Sequence, residues 1–121
     1  MGGSATRVLI VDDEENQRLG LANMVSGWGY QAQTASDGVD ALEKLASFPA
    51  DVMVTDLMMP RMDGWEFRRA QKHDPEVSRI PVVVLSALGP DSLDAEGYVG
   101  KPFDVDELVS AVRRYASRPV A

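Results

Sequence analysis

The sequence predicts an α/β protein: a (βα)5 doubly wound parallel five-stranded sheet whose fourth helix is shortened or missing. Three observations predict it. Short apolar runs alternate with helical patterns along the chain, which is how a parallel sheet with helical crossovers reads. The clearest runs are continuous and β-branched, as strands covered on both faces are. The gap between the fourth and fifth runs contains Gly89 and Pro90 and leaves room for only a turn or two of helix, from Asp91 to Glu96.

Val8-Leu9-Ile10-Val11 is the first strand. After it Leu21, Val25 and Trp28 recur at i, i+4 and i+7, marking a helix that Gly29 caps. Tyr30 to Thr34 alternates apolar and polar residues and reads as a short second strand at an edge. Ser36 and Asp37 cap a second helix carrying Ala41, Leu42 and Leu45. Asp51 to Thr55 is the third strand, and a turn with Pro60 and Gly64 leads to a third helix through about Lys72. That helix has a thin apolar face of Trp65, Phe67 and Ala70, with Arg68 and Gln71 where further leucines are expected. Pro81 to Leu85 is the clearest strand of all, and Tyr98-Val99 is a brief fifth. Asp104, with Glu107 three residues on, reads as a capping box opening a last helix striped by Val105, Leu108, Val109, Val112 and Ala116.

The 121 residues fit one domain, placed at 7–117, with 1–6 read as a disordered leader or cloning remnant and 118–121 as a tail. Cysteine is absent, which excludes disulfides and thiolate metal sites. Twelve basic against nineteen acidic residues give a net charge of −7. Such a surface repels phosphate backbones and anionic lipid, so neither nucleic acid nor membrane is expected as a direct partner. No apolar run approaches the roughly 20 residues of a membrane span, and no signal peptide is visible. A cytoplasmic location is expected.

Asp12 and Asp13 follow the first strand, Asp56 the third, Ser86 the fourth and Lys101 the fifth. In an open parallel sheet these ends share one rim, where ligands bind at the point at which strand order reverses. With the order 2-1-3-4-5 the first and third strands are neighbours, and three carboxylates face one crevice. Two carboxylates ~4 Å apart repel by roughly 1 kcal/mol in water and several-fold more near a protein surface. A hard cation, Mg²⁺ or Mn²⁺, suits such an all-oxygen set. With the cation present, the carboxylate of Asp56 can attack phosphorus and form an acyl phosphate. Lys101 supplies a point charge for a phosphoryl oxygen and Ser86 a hydroxyl donor.

Four blocks, Val8-Leu9-Ile10-Val11-Asp12-Asp13-Glu14, Asp56-Leu57-Met58-Met59-Pro60-Arg61-Met62-Asp63-Gly64, Leu85-Ser86-Ala87 and Lys101-Pro102-Phe103, stand in this order at strand ends. Together they resemble the signatures of response-regulator receiver domains of two-component systems, the CheY-like superfamily with its flavodoxin-like fold, from about Arg7 to Arg114. The resemblance implies Mg²⁺ held by Asp13, Asp56 and the Met58 backbone carbonyl, with Asp12 reaching it through water. It implies Asp56 as phosphoacceptor, assisted by Lys101, and Ser86 with Tyr98 as the switch pair. It also implies a cis Lys101-Pro102 bond. The donor is then a histidine kinase or phosphotransfer protein, or a small phosphodonor, and a downstream protein is the target. The domain itself is expected as a monomer or weak dimer and not as a turnover enzyme.

Single residues have plainer readings. Asp12-Asp13 alone suits a helix start, Asp56 alone a turn, Lys101 a solvated surface and Tyr98 ordinary packing. Asp63 reads as a helix cap and His73 as a solvated helix end, with no second His to share a metal. The chain departs from the family at one place. Tyr98 lies only 12 positions after Ser86, about two helical turns short of most members. The usual output face, built from helix four, strand five and helix five, is therefore not expected to work here in the usual way. The runner-up function is a receiver-like interaction module that ignores phosphorylation. A true aspartyl phosphatase ranks third, because Met58 stands where such enzymes carry a second Asp. A flavin-binding domain ranks last, because no phosphate loop follows the first strand.

Overall fold

The structure is a computed structural model that describes residues 6–116, so most of the expected leader and all of the tail lie outside the described residues. Thr6, read with the leader, is already docked on the sheet: its carbonyl accepts the Gln31 N–H at 2.8 Å. The elements are β1 (Arg7–Val11), α1 (Glu15–Gly27), β2 (Gln31–Ala35), α2 (Gly38–Leu45), β3 (Val52–Thr55), α3 (Gly64–His73), β4 (Val82–Ser86), β5 (Gly97–Gly100) and α4 (Val105–Ala116). All five strands are parallel, in the order β2-β1-β3-β4-β5. The expected strand order is thus the observed one. β4 starts one residue after Pro81, and Ser86 is its last residue rather than the residue beyond it.

Period-two alternation along buried strands splits the core into two layers. Leu9, Val11, Met53, Val82 and Val84 face the side covered by α2 and α3. Val8, Ile10, Val52, Val54, Val83 and Leu85 face α1 and α4. The helix starts differ in detail from the sequence reading. Glu14 caps α1, accepting the Gln17 N–H at 2.6 Å, which leaves Asp12 and Asp13 outside that role. Asp37 caps α2, and Asp63 caps α3 in a reciprocal box with Glu66. Asp104 accepts the N–H of Asp106 at 2.8 Å, two residues on, where the capping-box reading pointed to Glu107. Val105 is 47% exposed, so the buried stripe of α4 begins at Leu108.

Between β4 and β5 there is no helix; residues 87–96 run as turns and bends. Here the thin face of α3 finds its explanation. Trp65 donates its indole N–H to the Ser92 carbonyl at 2.7 Å. Arg68 donates to the Asp94 carbonyl (2.9 Å), the Glu96 carboxylate (3.0 Å) and the Gln71 side-chain oxygen (2.9 Å). Gln71 gives its amide to the Val77 and Ile80 carbonyls, and Glu96 also accepts the Val82 N–H. Arg68 and Gln71 are 8% and 0% exposed. The residues that interrupt the apolar pattern are therefore buried anchors. They hold the helix-free connection against α3 as a strap, with Leu93 and Ala95 packed on the core where a helix would otherwise lie.

Candidate functional site

The parallel register brings the strand ends together. Val11 of β1 pairs with Thr55 of β3, so Asp12 and Asp56 emerge side by side. The Asp56 N–H bonds the Val11 carbonyl (3.0 Å), and the Asp12 N–H bonds the Ala35 carbonyl of β2 (3.0 Å). On the other flank Ser86 pairs with Gly100, which puts Lys101 one residue beyond the rim. Oxygen atoms of Asp12, Asp13 and Asp56 all lie within 4.8 Å of one another. The Lys101 ammonium donates to Asp56 Oδ2 at 3.1 Å, while the Leu57 N–H donates to Oδ1 at 2.7 Å. The Lys101-Pro102 peptide is cis, as the family resemblance implies.

Asp12 is buried, 2% exposed. Burial is the main reason its carboxyl sits above the ordinary carboxylate range; the charges of Asp56 and Asp13 push the same way, while the Glu14 N–H and Lys101 oppose them. Asp13 is exposed and Asp56 half-buried, so the cluster opens to solvent. One ammonium against three carboxylates leaves the group net negative, and every donor in it is oxygen. That chemistry fits a hard divalent cation. In the metal-free protein, Asp12→Asn keeps an acceptor for the Glu14 N–H and removes a buried charge. It is expected to raise unfolding stability at neutral pH by on the order of 1 kcal/mol. Thermal unfolding in chelator checks this, and an unchanged or lower midpoint would contradict it.

Close packing fixes the acidic loop. Gly64 opens α3 directly against β3: a Cβ there would lie 2.8 Å from the Asp56 carbonyl oxygen and 2.9 Å from Leu57 Cα. Its N–H bonds the Leu57 carbonyl at 2.8 Å. Met58, two residues past Asp56, is 65% exposed. Ser86 is buried, and its hydroxyl accepts the Leu88 N–H at 3.0 Å. Tyr98 is turned inward: its hydroxyl donates to the Ser86 carbonyl (2.8 Å) and accepts the Gly89 N–H (3.1 Å). Ser86 and Tyr98, the pair for which the resemblance implies a switch role, are thus in direct contact through the Ser86 main chain with no helix between them. Two supports escaped the sequence reading. Arg18 donates to the Asp12 carbonyl at 2.9 Å, and Arg61 pairs with Asp37. An arginine one turn into a helix carries no local signal of such a role.

Three carboxylates and a lysine at the carboxyl edge of a 2-1-3-4-5 sheet define a doubly wound α/β domain with its ligand crevice at the switch point. The chain belongs to the response regulator receiver domain family, which matches residues 8–113. Response regulator RR06 of Streptococcus pneumoniae is 41% identical over 92% of this chain and 53% of its own length. The chain therefore spans about half the length of the curated relatives it matches. A putative response regulator from Chloroflexus aurantiacus superposes with a TM-score of 0.87 at 28% identity, covering 95% of this chain and 100% of that one. The receiver domain of sensor histidine kinase PA1611 from Pseudomonas aeruginosa, solved with magnesium coordinated in its active-site cleft, shares the fold. Its TM-score is 0.86 at 21% identity, over 95% of this chain and all of that one. Among the described residues no helix is long and apolar enough to cross a membrane.

Proposed function

We propose that this receiver domain takes a phosphoryl group onto Asp56 and uses the new charge to switch protein contacts. The donor is the phosphohistidine of a histidine kinase or phosphotransfer protein, or a small acyl phosphate. A carboxylate oxygen of Asp56 forms the P–O bond while the donor's P–N or P–O bond breaks and its electron pair leaves with the imidazole or with the carboxylate released from the acyl phosphate. The convergence of Asp12, Asp13 and Asp56 within 4.8 Å, with Lys101 bonded to the last, carries this reading. Asp13, Asp56 and the Met58 carbonyl, with Asp12 through water, are the groups that would hold Mg²⁺ or Mn²⁺. That ion supplies neutralisation of the phosphoryl charge. Lys101 offsets charge on a phosphoryl oxygen, and Ser86 offers its hydroxyl once it leaves the Leu88 N–H.

The phosphoryl group adds about −1.5 to −2 charge at neutral pH. Drawing Ser86 toward it would disturb the Tyr98 and Gly89 bonds at the head of the strap. The readout surface is then the strap with α3, in place of a face that needs a helix between β4 and β5. No second carboxylate stands at Met58 to act as a general acid, which fits slow dephosphorylation and a signalling role without turnover.

Incubation with Mg²⁺ and acetyl phosphate, followed by intact mass measurement, is expected to give one phosphoryl adduct. The adduct should be acid-stable and base-labile, and Asp56→Asn should lose it completely. Absence of any adduct on the native chain would favour a phosphorylation-independent interaction module. Release of many phosphates per protein per minute would favour an enzyme.

A further inference from the structure

We infer that Arg61 is a positioning residue for this site: its ion pair with Asp37 clamps the Asp56–Met58 loop to α2 and sets the geometry that binds the divalent cation. The inference rests on the phosphoacceptor reading above. Arg61 has a backbone φ of 62°, and among the described residues it alone, glycines aside, has a positive φ. That left-handed conformation is unfavourable for a side chain with a Cβ and persists where surrounding contacts enforce it. The contacts are visible. Arg61 Nε donates to Asp37 Oδ2 at 2.6 Å, and Nη2 donates to Oδ1 at 3.0 Å. This is the two-pronged arrangement for which a guanidinium is suited and an ammonium is not.

Asp37 is a firm anchor. It is 3% exposed and caps α2 by accepting the Asp40 N–H at 2.9 Å. The Arg61 hydrogen bond is the largest cause holding its carboxyl below the ordinary range. One residue further along each segment, the Gly38 N–H bonds the Met62 carbonyl at 3.1 Å. A Cβ on Gly38 would sit 2.6 Å from Met62 Cγ, so the two loops are in close contact.

The clamp spans the two sources of the acidic cluster. On one side, Asp37 lies two residues after Ala35, whose carbonyl holds the Asp12 N–H. On the other, Arg61 lies three residues after Met58 in the loop that Asp56 opens. A shift of that loop moves Asp56 and the Met58 carbonyl relative to Asp12 and Asp13. The Arg61 side chain is 59% exposed, so the pair's contribution to bulk stability is small while its geometric effect is local.

The test compares the native chain with Arg61→Gly, Arg61→Lys, Asp37→Asn and the Arg61→Gly/Asp37→Asn double variant. Mg²⁺ binding is measured by calorimetry, phosphorylation by acetyl phosphate as a function of Mg²⁺, and thermal unfolding in chelator. Glycine accepts the positive φ without strain, so that variant is expected to fold with a midpoint close to native. Its Mg²⁺ Kd is expected to rise about 10-fold, as for other groups that orient metal ligands. Asp37→Asn should match it, the double variant should be no worse than either, and Arg61→Lys should recover only part. Phosphorylation should return toward the native rate at saturating Mg²⁺. A Kd within two-fold of native in both single variants would overturn the inference, as would a lowered midpoint with unchanged Kd, which marks a merely structural pair. If the native chain shows no saturable Mg²⁺ binding, the phosphoacceptor reading falls and this inference with it. Native binding with unaffected variants overturns the clamp alone.

Discussion

Arg68→Ala is expected to lower unfolding stability by about 2–3 kcal/mol and to free the strap between β4 and β5. Removing one partner of a buried ion pair costs about 3–5 kcal/mol when both charges are enclosed. Here the Glu96 side chain is 37% exposed, so the lower figure applies. The loss reaches further than the pair. Gln71, 0% exposed, would keep its bonds to Val77 and Ile80 but lose the guanidinium that satisfies its oxygen. The Asp94 carbonyl would lose its donor as well. For a domain of this size the change corresponds to a fall of roughly 10 °C in midpoint. Trp65 provides a second readout, because its indole bonds the Ser92 carbonyl in the same strap; its emission should move toward that of a solvated indole. An Arg68→Ala midpoint within a degree or two of native would show that the strap is held by Leu93 and Ala95 packing instead.

The same network gives a pH dependence with a definite sign. Burial pushes the Glu96 carboxyl up, but the Arg68 and Val82 hydrogen bonds and the Arg68 charge outweigh it, and the carboxyl sits below its ordinary 4.5. A group whose folded pKa is lowered contributes stability that is present above the unfolded value and lost as pH falls through the folded one. The Arg68–Glu96 contribution is therefore complete at neutral pH and declines only below about pH 4.5, so the Arg68→Ala deficit should shrink in that acid range.

Lys101→Ala is expected to slow phosphorylation of Asp56 by about 10²-fold, the usual cost of losing one charged donor aimed at the reacting group. Stability should hardly change, since Lys101 is a partly exposed side chain whose bond to Asp56 lies at the open rim. Lys101→Arg should not rescue the rate. The planar guanidinium cannot replace a compact ammonium on a single oxygen. Stopped-time mass measurement with acetyl phosphate at saturating Mg²⁺ checks both variants. A Lys101→Ala rate within three-fold of native would remove the lysine from the reaction.

Much of the site was legible because its residues are tied to strand ends. Asp12, Asp56, Ser86 and Lys101 each terminate an apolar run, and parallel pairing then decides that they meet. Arg68 and Gln71 were not legible. In the sequence they interrupt an apolar stripe, and nothing local separates a polar residue facing water from one buried among carbonyls 6 to 26 positions away. Arg61 was invisible for a related reason: its partner, Asp37, lies 24 residues upstream and already reads as a helix cap. Val105 shows the opposite error, since its place in the α4 stripe is set by the end of the helix leaving the core.

The sequence by itself determined the element order, the strand-end placement of the acidic and basic groups, and that no more than a turn or two of helix fits after Ser86. Local periodicity and chain length decide such features. Only the tertiary structure decided what fills that missing space, which carboxylate anchors which loop, and that Tyr98 is tied to Ser86. Those outcomes depend on which polar groups lose their water together when layers pack. A buried donor must then find its acceptor wherever the fold has placed one.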